Sequence, residues 1–266
     1  MSDAKKLANF VKREIPDFCN YGSPPIQNHM GALIMDACIQ AGLNYDRVVK
    51  PRVEEIERDP NLRTTTGVYQ NMNKMEEVAV KNSAKIKCIQ ELTQFFSQEG
   101  IYTVGDLRKN YWSIRDKLLN IRNIGRKTRD YIGILAGVPD VVAIDRLLTQ
   151  FAEKAGIHVG NPSDSASKYD RLFNIYRKAA CLLGITPAEL DNAVWRYMNK
   201  RKFCSNNKRF LKVCIVPKVG RSSLCVAGIT GVVKCSISVK GFSVALGWYV
   251  STEVLHLCVA NVILLL

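Results

Sequence analysis

Leu118-Leu-Asn-Ile-Arg-Asn-Ile-Gly-Arg-Lys-Thr-Arg-Asp-Tyr-Ile-Gly-Ile-Leu135 is the stretch on which the fold turns. A short helix is predicted from about Ser113 to Asn120, running into Arg122-Asn-Ile-Gly-Arg126, with a second helix resuming through Leu135. Gly125 is expected to permit a tight turn and a close backbone approach. The amides that open the second helix would then form an anion site, because their N–H groups have no intrahelical partner and the helix dipole favours negative charge there. Around the turn, Arg108, Lys109, Arg115, Lys117, Arg122, Arg126, Lys127 and Arg129 face only Asp106, Asp116 and Asp130. That density suits contact with a phosphate backbone.

Outward from this stretch the chain reads as helix after helix, a mainly α architecture. Ala4, Leu7, Phe10, Val11 and Ile15 recur at helical spacing behind Ser2 and Asp3, and Pro16 follows. Residues 29–43 predict a buried helix ending near Gly42, and residues 83–98 one that begins at Ser83 as N-cap and stops at Gly100. Ser113-Ile-Arg-Asp116 and Thr186-Pro-Ala-Glu189 both have capping-box form, with Pro187 at the favoured first-turn position. No run of alternating strands is read before residue 204.

The 266 residues carry a net charge of +14, with 47% hydrophobic and 23% charged residues, which excludes a wholly disordered chain. The charge reads either as solubility or as a polyanion partner. Lys5, Lys6, Lys12 and Arg13 interrupt the apolar stretches of the N-terminus, so no signal peptide is read, and no uncharged apolar run is long enough for a membrane span. The nine cysteines lack tight pairing and read as reduced thiols of a cytosolic protein. A cytoplasmic (nucleoid-associated) or nuclear location is expected rather than secretion.

Composition divides the chain near residue 203. Residues 1–203 hold 31 basic and 23 acidic residues, residues 204–266 only 7 and 1. Domains are therefore expected at 1–203 and 204–266. In the second, Cys235-Ser-Ile-Ser-Val239 alternates like a strand, and Gly228, Gly231, Gly241 and Gly247 punctuate the rest. The tail reads as a small β-rich appendage, as an extension that is no independent domain, or as the product of an altered reading frame near residue 204.

Leu119-x-Ile121-x-x-Ile124-Gly125-x-Lys127-Thr128 resembles a helix-hairpin-helix motif, and Gly137-Val-Pro-Asp-Val-Val-Ala-Ile-Asp145, ending eighteen residues after Lys127, resembles the Gly/Pro-rich loop and aspartate of the HhH-GPD DNA glycosylases. Endonuclease III and the oxoguanine glycosylases are members. The motifs cover about residues 113–150, and the surrounding helices extend the resemblance over roughly 30–203. It implies a two-lobed helical fold, with double-stranded DNA, damaged or abasic, bound across the cleft. It places Lys127 where bifunctional members keep a Schiff-base lysine and Asp145 where the family keeps its catalytic aspartate. The implied chemistry is base-excision repair: a carboxylate stabilises the cationic sugar, and a lysine of lowered pKa attacks C1′, forming an imine that permits strand cleavage (AP-lyase activity). Arg122, Arg126 and Arg129 would provide cationic surroundings for the lysine, and the target base would leave the stack. DNA contacts are expected from Arg122, Asn123, Ile124, Gly125, Arg126, Lys127, Thr128 and Arg129. The carbonyls of Leu119, Ile121 and Ile124 would hold a monovalent cation.

The chain departs from the family pattern in places. Asn123 stands where the hairpin usually has its first glycine, and Arg146-Leu147 follow Asp145 where the endonuclease III group has Thr-His. There is no C-x6-C-x2-C-x5-C pattern, so neither an iron–sulfur cluster nor zinc is expected, and no organic cofactor. Each key residue also has a plainer role: Lys127 as a phosphate-binding lysine, and Asp145 as N-cap of the helix containing Leu147, Leu148 and Phe151, which is compatible with catalysis. His29, His158 and His256 have no metal spacing. Cys19, Cys38, Cys88 and Cys181 read as structural, and Trp195, Tyr197 and Met198 are expected in the core. A DNA glycosylase is the first reading. A non-catalytic helix-hairpin-helix DNA-binding protein is the alternative, and a protein-interaction scaffold the third.

Overall fold

The structure is a computed structural model and describes residues 1–24, 26–211, 225–229, 232–239 and 242–249. It divides into two compact units, Met1–Phe203 and Cys204–Leu266.

The described residues of the first unit contain helices and no strand. In chain order these are α1 (Asp3–Glu14), α2 (Met30–Ile39), α3 (Lys50–Glu57), α4 (Thr65–Gln70), α5 (Met72–Val78), α6 (Ser83–Gln98), α7 (Val104–Ile114), α8 (Arg126–Leu135), α9 (Arg146–Lys154), α10 (Ala166–Leu183) and α11 (Pro187–Leu211), the last of which continues past Phe203. Helix α1 begins where the Ser2 side chain accepts from the Lys5 amide, and it buries Ala4, Leu7, Ala8, Phe10 and Val11. Every residue of α2 is buried, so it is the central helix of its lobe rather than an amphipathic surface one. It stops at Ile39, short of the expected residue 43, with Gln40 as C-cap and Gly42 at φ 74° turning the chain away.

Two further boundaries differ from expectation. Asn82, not Ser83, caps α6 through a hydrogen bond from the Lys85 amide. The box at Ser113–Asp116 does not form, because α7 already starts at a box made by Thr103 and Asp106; Ser113 falls in its last turn and donates to the Asn110 carbonyl at 2.7 Å. The predicted helix 113–120 is instead the end of α7 followed by a 3₁₀ turn at Lys117–Asn120. The Thr186–Glu189 box forms as expected, with each side chain taking the other's amide.

Two apolar cores organise these helices. One gathers side chains from α2 through α8, including Leu33, Ile56, Phe96, Leu107, Tyr111 and Ile132. The other joins α1 to α9, α10 and α11 through Leu7, Val11, Leu148, Phe151, Tyr176 and Val194. The chain passes between them in the segment 141–144, which follows a turn at 139–140 where Asp140 stands at φ 63°. Val141 and Ala143 belong to the first core, and Val142 and Ile144 to the second. Successive side chains of extended backbone point to opposite sides, so one short segment serves both lobes. Met198 lies in the second core and Tyr197 packs against it, but Trp195 is 40% exposed, contrary to the expectation for it.

In the second unit, β1 (Cys225–Ile229), β2 (Val232–Val239) and β3 (Phe242–Tyr249) form an antiparallel sheet in that order, in register Cys225↔Ser236 and Val232↔Tyr249. The strand read at Cys235–Val239 is part of β2. His256 and the apolar residues 254–266 lie outside the described residues. Among those described, no helix is long and apolar enough to cross a membrane.

Candidate active site

The hairpin is built by α7, the 3₁₀ turn and α8. Ile121 and Ile124 are buried and pin the turn to the first core, with the Ile124 amide donating to the Ile121 carbonyl at 3.1 Å. Asn123 holds the left-handed position at φ 67° in place of a glycine, and its Nδ2 donates to the Ala84 carbonyl at 3.1 Å. Asparagine tolerates this region better than most residues, so the turn survives the substitution. Gly125 does not need its conformational freedom: its φ is −89°, and a Cβ there would meet nothing within 4 Å. It is the N-cap of α8 and offers no side chain, so the first-turn amides of the helix have no side-chain cap.

Arg122 and Asn123 are exposed and Arg126 and Thr128 half-exposed at this turn. The Arg122 amide is already taken by Glu91 Oε2 at 3.0 Å. Arg129, expected to face DNA, is instead 3% exposed and locked inward, donating to Asp130 from Nε and to Asp116 from Nη1. A basic side chain beside a buried carboxylate gains more there than at a solvated surface. A groove of about 840 Å³ runs between the hairpin and Glu91, Gln94, Phe95 and Gln98 of α6. Among the described residues, no group of three or more His, Cys, Asp or Glu could hold a metal ion.

Lys127 is the second residue of α8 and is not among the residues that line this groove. Its Nζ donates to Gln40 Oε1 at 2.6 Å and lies 4.5 Å from the centroid of the Tyr131 ring. Burial pulls its pKa below the usual lysine range, opposed by the charges of Asp145, Asp191 and Asp36. The expected ring of arginines is therefore replaced by carboxylates, and desolvation, not cationic repulsion, makes the amine easier to free.

Each carboxylate is held differently. Asp36, fully buried one turn before Gln40, accepts from the hydroxyls of Tyr45 (3.0 Å) and Tyr131 (3.3 Å). Burial raises its pKa to about 6, against the pull of those two hydrogen bonds and of Lys127. Asp145 is the N-cap of α9, its Oδ1 accepting from the amides of Leu147 (2.7 Å) and Leu148 (2.9 Å). Its capping role is thus real. Asp191 on α11 accepts the Ala143 amide at 2.8 Å, and burial together with the neighbouring charge of Asp145 raises its pKa to about 7.

Beneath the pair lies a bolt. The Tyr169 hydroxyl donates to Asp130 Oδ2 at 2.8 Å, accepts from the Ile144 amide at 3.2 Å and lies 3.2 Å from the Arg126 carbonyl. It therefore ties the residue before Lys127 to the residue before Asp145. Asp130 is itself fully buried and gripped by Arg115, Arg129 and Tyr111. Sequence reading missed Asp36, Gln40, Tyr131, Tyr169 and Asp191. Only Asp36 left a local signal, as the one acid in the apolar run 30–39.

Residues 28–199 match the family described as a domain of unknown function, DUF8548. The chain belongs to DUF8548. The DUF8548 match takes in Asp36, Gln40, Lys127, Asp145 and Asp191, and leaves out α1 and the second unit. No curated protein matches the chain. Among solved structures, a trapped endonuclease III–DNA covalent intermediate is similar at 15% identity and a TM-score of 0.53, over 73% of this chain and 85% of that one. The 3-methyladenine DNA glycosylase MagIII of H. pylori, bound to 1,N6-ethenoadenine, is similar at 18% identity and a TM-score of 0.54, over 78% and 99%. The DUF8548 domain of this protein therefore has the all-α fold of the HhH-GPD DNA glycosylases.

Proposed function

We propose that the protein is a DNA glycosylase of base-excision repair that acts on damaged or abasic duplex DNA, with Lys127 as nucleophile and Asp145 as stabiliser of the cationic sugar. The observation that carries this reading is the setting of Lys127. Its amine is desolvated, faces Asp36, Asp145 and Asp191, and stands in the first turn of a helix whose amides are uncapped.

The steps follow from these groups. The free α8 amides, with Arg122 and Arg126, take a backbone phosphate and set the register of the duplex. The target nucleotide leaves the stack to reach the amine. The neutral Lys127 amine attacks C1′; the N–C1′ bond forms as the glycosidic bond breaks, with the electron pair leaving on the base. Asp145 keeps Oδ1 on the α9 amides and has Oδ2 for the developing positive charge. On a damaged nucleotide the sugar then opens, the C1′–O4′ bond breaking as O4′ takes the proton released by the amine, which leaves the imine. On an abasic site the same imine forms with loss of water. β-Elimination then removes a C2′ proton and expels the 3′-phosphate, cutting the strand.

A monovalent cation fits the hairpin as a further proposal. The donors would be the carbonyls of Leu119, Ile121 and Ile124, an all-oxygen set suited to a hard cation. It would help fix a phosphate at the turn. The chemistry asks for no iron–sulfur cluster and no organic cofactor, and DNA as substrate implies a nuclear or nucleoid-associated location.

Borohydride trapping on a duplex containing an abasic site tests the reading. A covalent adduct that disappears in Lys127→Ala establishes imine chemistry. Binding without an adduct leaves a monofunctional glycosylase or a binding module, and loss of both removes DNA from the reading.

A further inference from the structure

Asp191 has no part in the chemistry proposed above, yet it is aimed at it. Its Oδ2 accepts the Ala143 amide at 2.8 Å, two residues ahead of Asp145. The next amide, that of Ile144, is held by the Tyr169 hydroxyl at 3.2 Å. Both amides leading into Asp145 are thus fixed by side chains from α10 and α11, while the Asp145 carboxylate itself is fixed on α9. The groups whose electrostatics couple to Asp191 come from three surrounding elements: Lys127 and Tyr131 of α8, Asp145 at the head of α9, and Tyr176 of α10.

We infer that Asp191 is a positioning residue for the lysine–aspartate pair: through the Ala143 amide it fixes where Asp145 stands, and through its charge it sets how readily Lys127 gives up its proton. The inference rests on the reading of Lys127 and Asp145 proposed above. An ionised Asp191 favours the ammonium form of Lys127; a neutral one leaves the amine easier to free. Burial places the ionisation of Asp191 at about pH 7, so this influence changes across the neutral range.

The two roles separate in two substitutions. Asp191→Asn keeps an oxygen for the Ala143 amide and removes the charge, whereas Asp191→Ala removes both. The first measurement needs no DNA: site-resolved reductive methylation of Lys127 in the full chain with formaldehyde and cyanoborohydride, followed by peptide mass spectrometry as a function of pH. The expected result is a fall of about one pH unit in the Lys127 midpoint in Asp191→Asn. Linkage requires the reverse effect as well, so the ¹³C carboxyl resonance of Asp191 should titrate about one unit higher in Lys127→Met than in the parent. That arm decides the matter if Asp191→Asn does not fold. On abasic duplex, the rising limb of the adduct rate should move to lower pH in Asp191→Asn by the same amount, with its plateau kept. In Asp191→Ala the plateau should fall about tenfold, since misplacement of a reacting group costs on that order or more. Unmoved midpoints overturn the charge role, and equal plateaus in the Ala and Asn variants overturn the positioning role. A parent protein that forms no adduct sinks the lyase reading alone, because the methylation and carboxyl titrations still decide the coupling.

Discussion

The Lys127 ammonium donates to the Gln40 side-chain oxygen at 2.6 Å, joining the hairpin helix to the C-cap of α2 across 87 residues of sequence. Such a hydrogen bond favours the charged lysine, so it must be given up when the amine acts. Gln40 Nε2 is buried without a partner, so the amide is held for its oxygen alone. Gln40→Leu should lower the pH midpoint of Lys127 methylation and raise its rate at neutral pH several-fold. An unchanged midpoint would show that the bond does not bias the protonation state.

Lys127→Ala should abolish the borohydride adduct while leaving duplex affinity, read by fluorescence anisotropy, within a few-fold of the parent. The groups proposed to take a phosphate at the turn are Arg122, Arg126 and the α8 amides, none of which the substitution removes. A large loss of affinity would instead make Lys127 a phosphate ligand.

Asp145 combines a cap with the proposed chemistry, and two substitutions separate them. Asn caps a helix about as well as Asp, so Asp145→Asn should stay within about 0.5 kcal/mol in stability and lose adduct formation; Asp145→Ala should lose both, with about 1 kcal/mol of stability. Chemical denaturation beside trapping reads the difference.

Asp36 and Asp191 give the protein a definite response to pH. Their folded pKa values, about 6 and about 7, lie above the unfolded value, so between pH 4 and 7 the folded state holds protons that the unfolded chain has released. Their contribution to stability therefore falls as pH rises through this window. The Asp36 share is at most about 3 kcal/mol for a shift of roughly two units. Asp36→Asn should flatten the slope of unfolding free energy against pH between 4 and 6; an unaltered slope would place the carboxylate in a wetter site.

Asp130→Asn should be far more damaging than its distance from the surface chemistry suggests. The carboxylate is fully buried and takes hydrogen bonds from Arg115, Arg129, Tyr111 and Tyr169. Only the exposed Asp116 would then remain beside the two guanidinium groups, and losing the buried partner should cost up to about 3–5 kcal/mol. A urea midpoint shifted only slightly would mean that solvent reaches them.

The hairpin was legible because its signals are local. Ile121, Ile124 and the asparagine-for-glycine replacement at 123 all act within one turn, and the capping box at Thr186–Glu189 is a four-residue pattern. The boundaries that went astray, at Ser83 and Ser113, did so because a better cap stood nearby in Asn82 and Thr103. Local pattern also misjudged Arg129, whose partners Asp116 and Asp130 were in plain view but whose burial depends on Tyr111 and Tyr169 from other helices. The surroundings of Lys127 were illegible for the same reason. Asp36, Gln40 and Asp191 reach it from α2 and α11, and nothing in their immediate sequence says that these helices converge on α8.

The segment that carries Val141, Val142, Ala143 and Ile144 gives its side chains alternately to the two cores. Separating the lobes would draw apolar groups out of one core or the other at every residue, directly ahead of Asp145. The lobes are stitched, not hinged. On the function proposed above, a duplex seated across them would have to supply the bending itself.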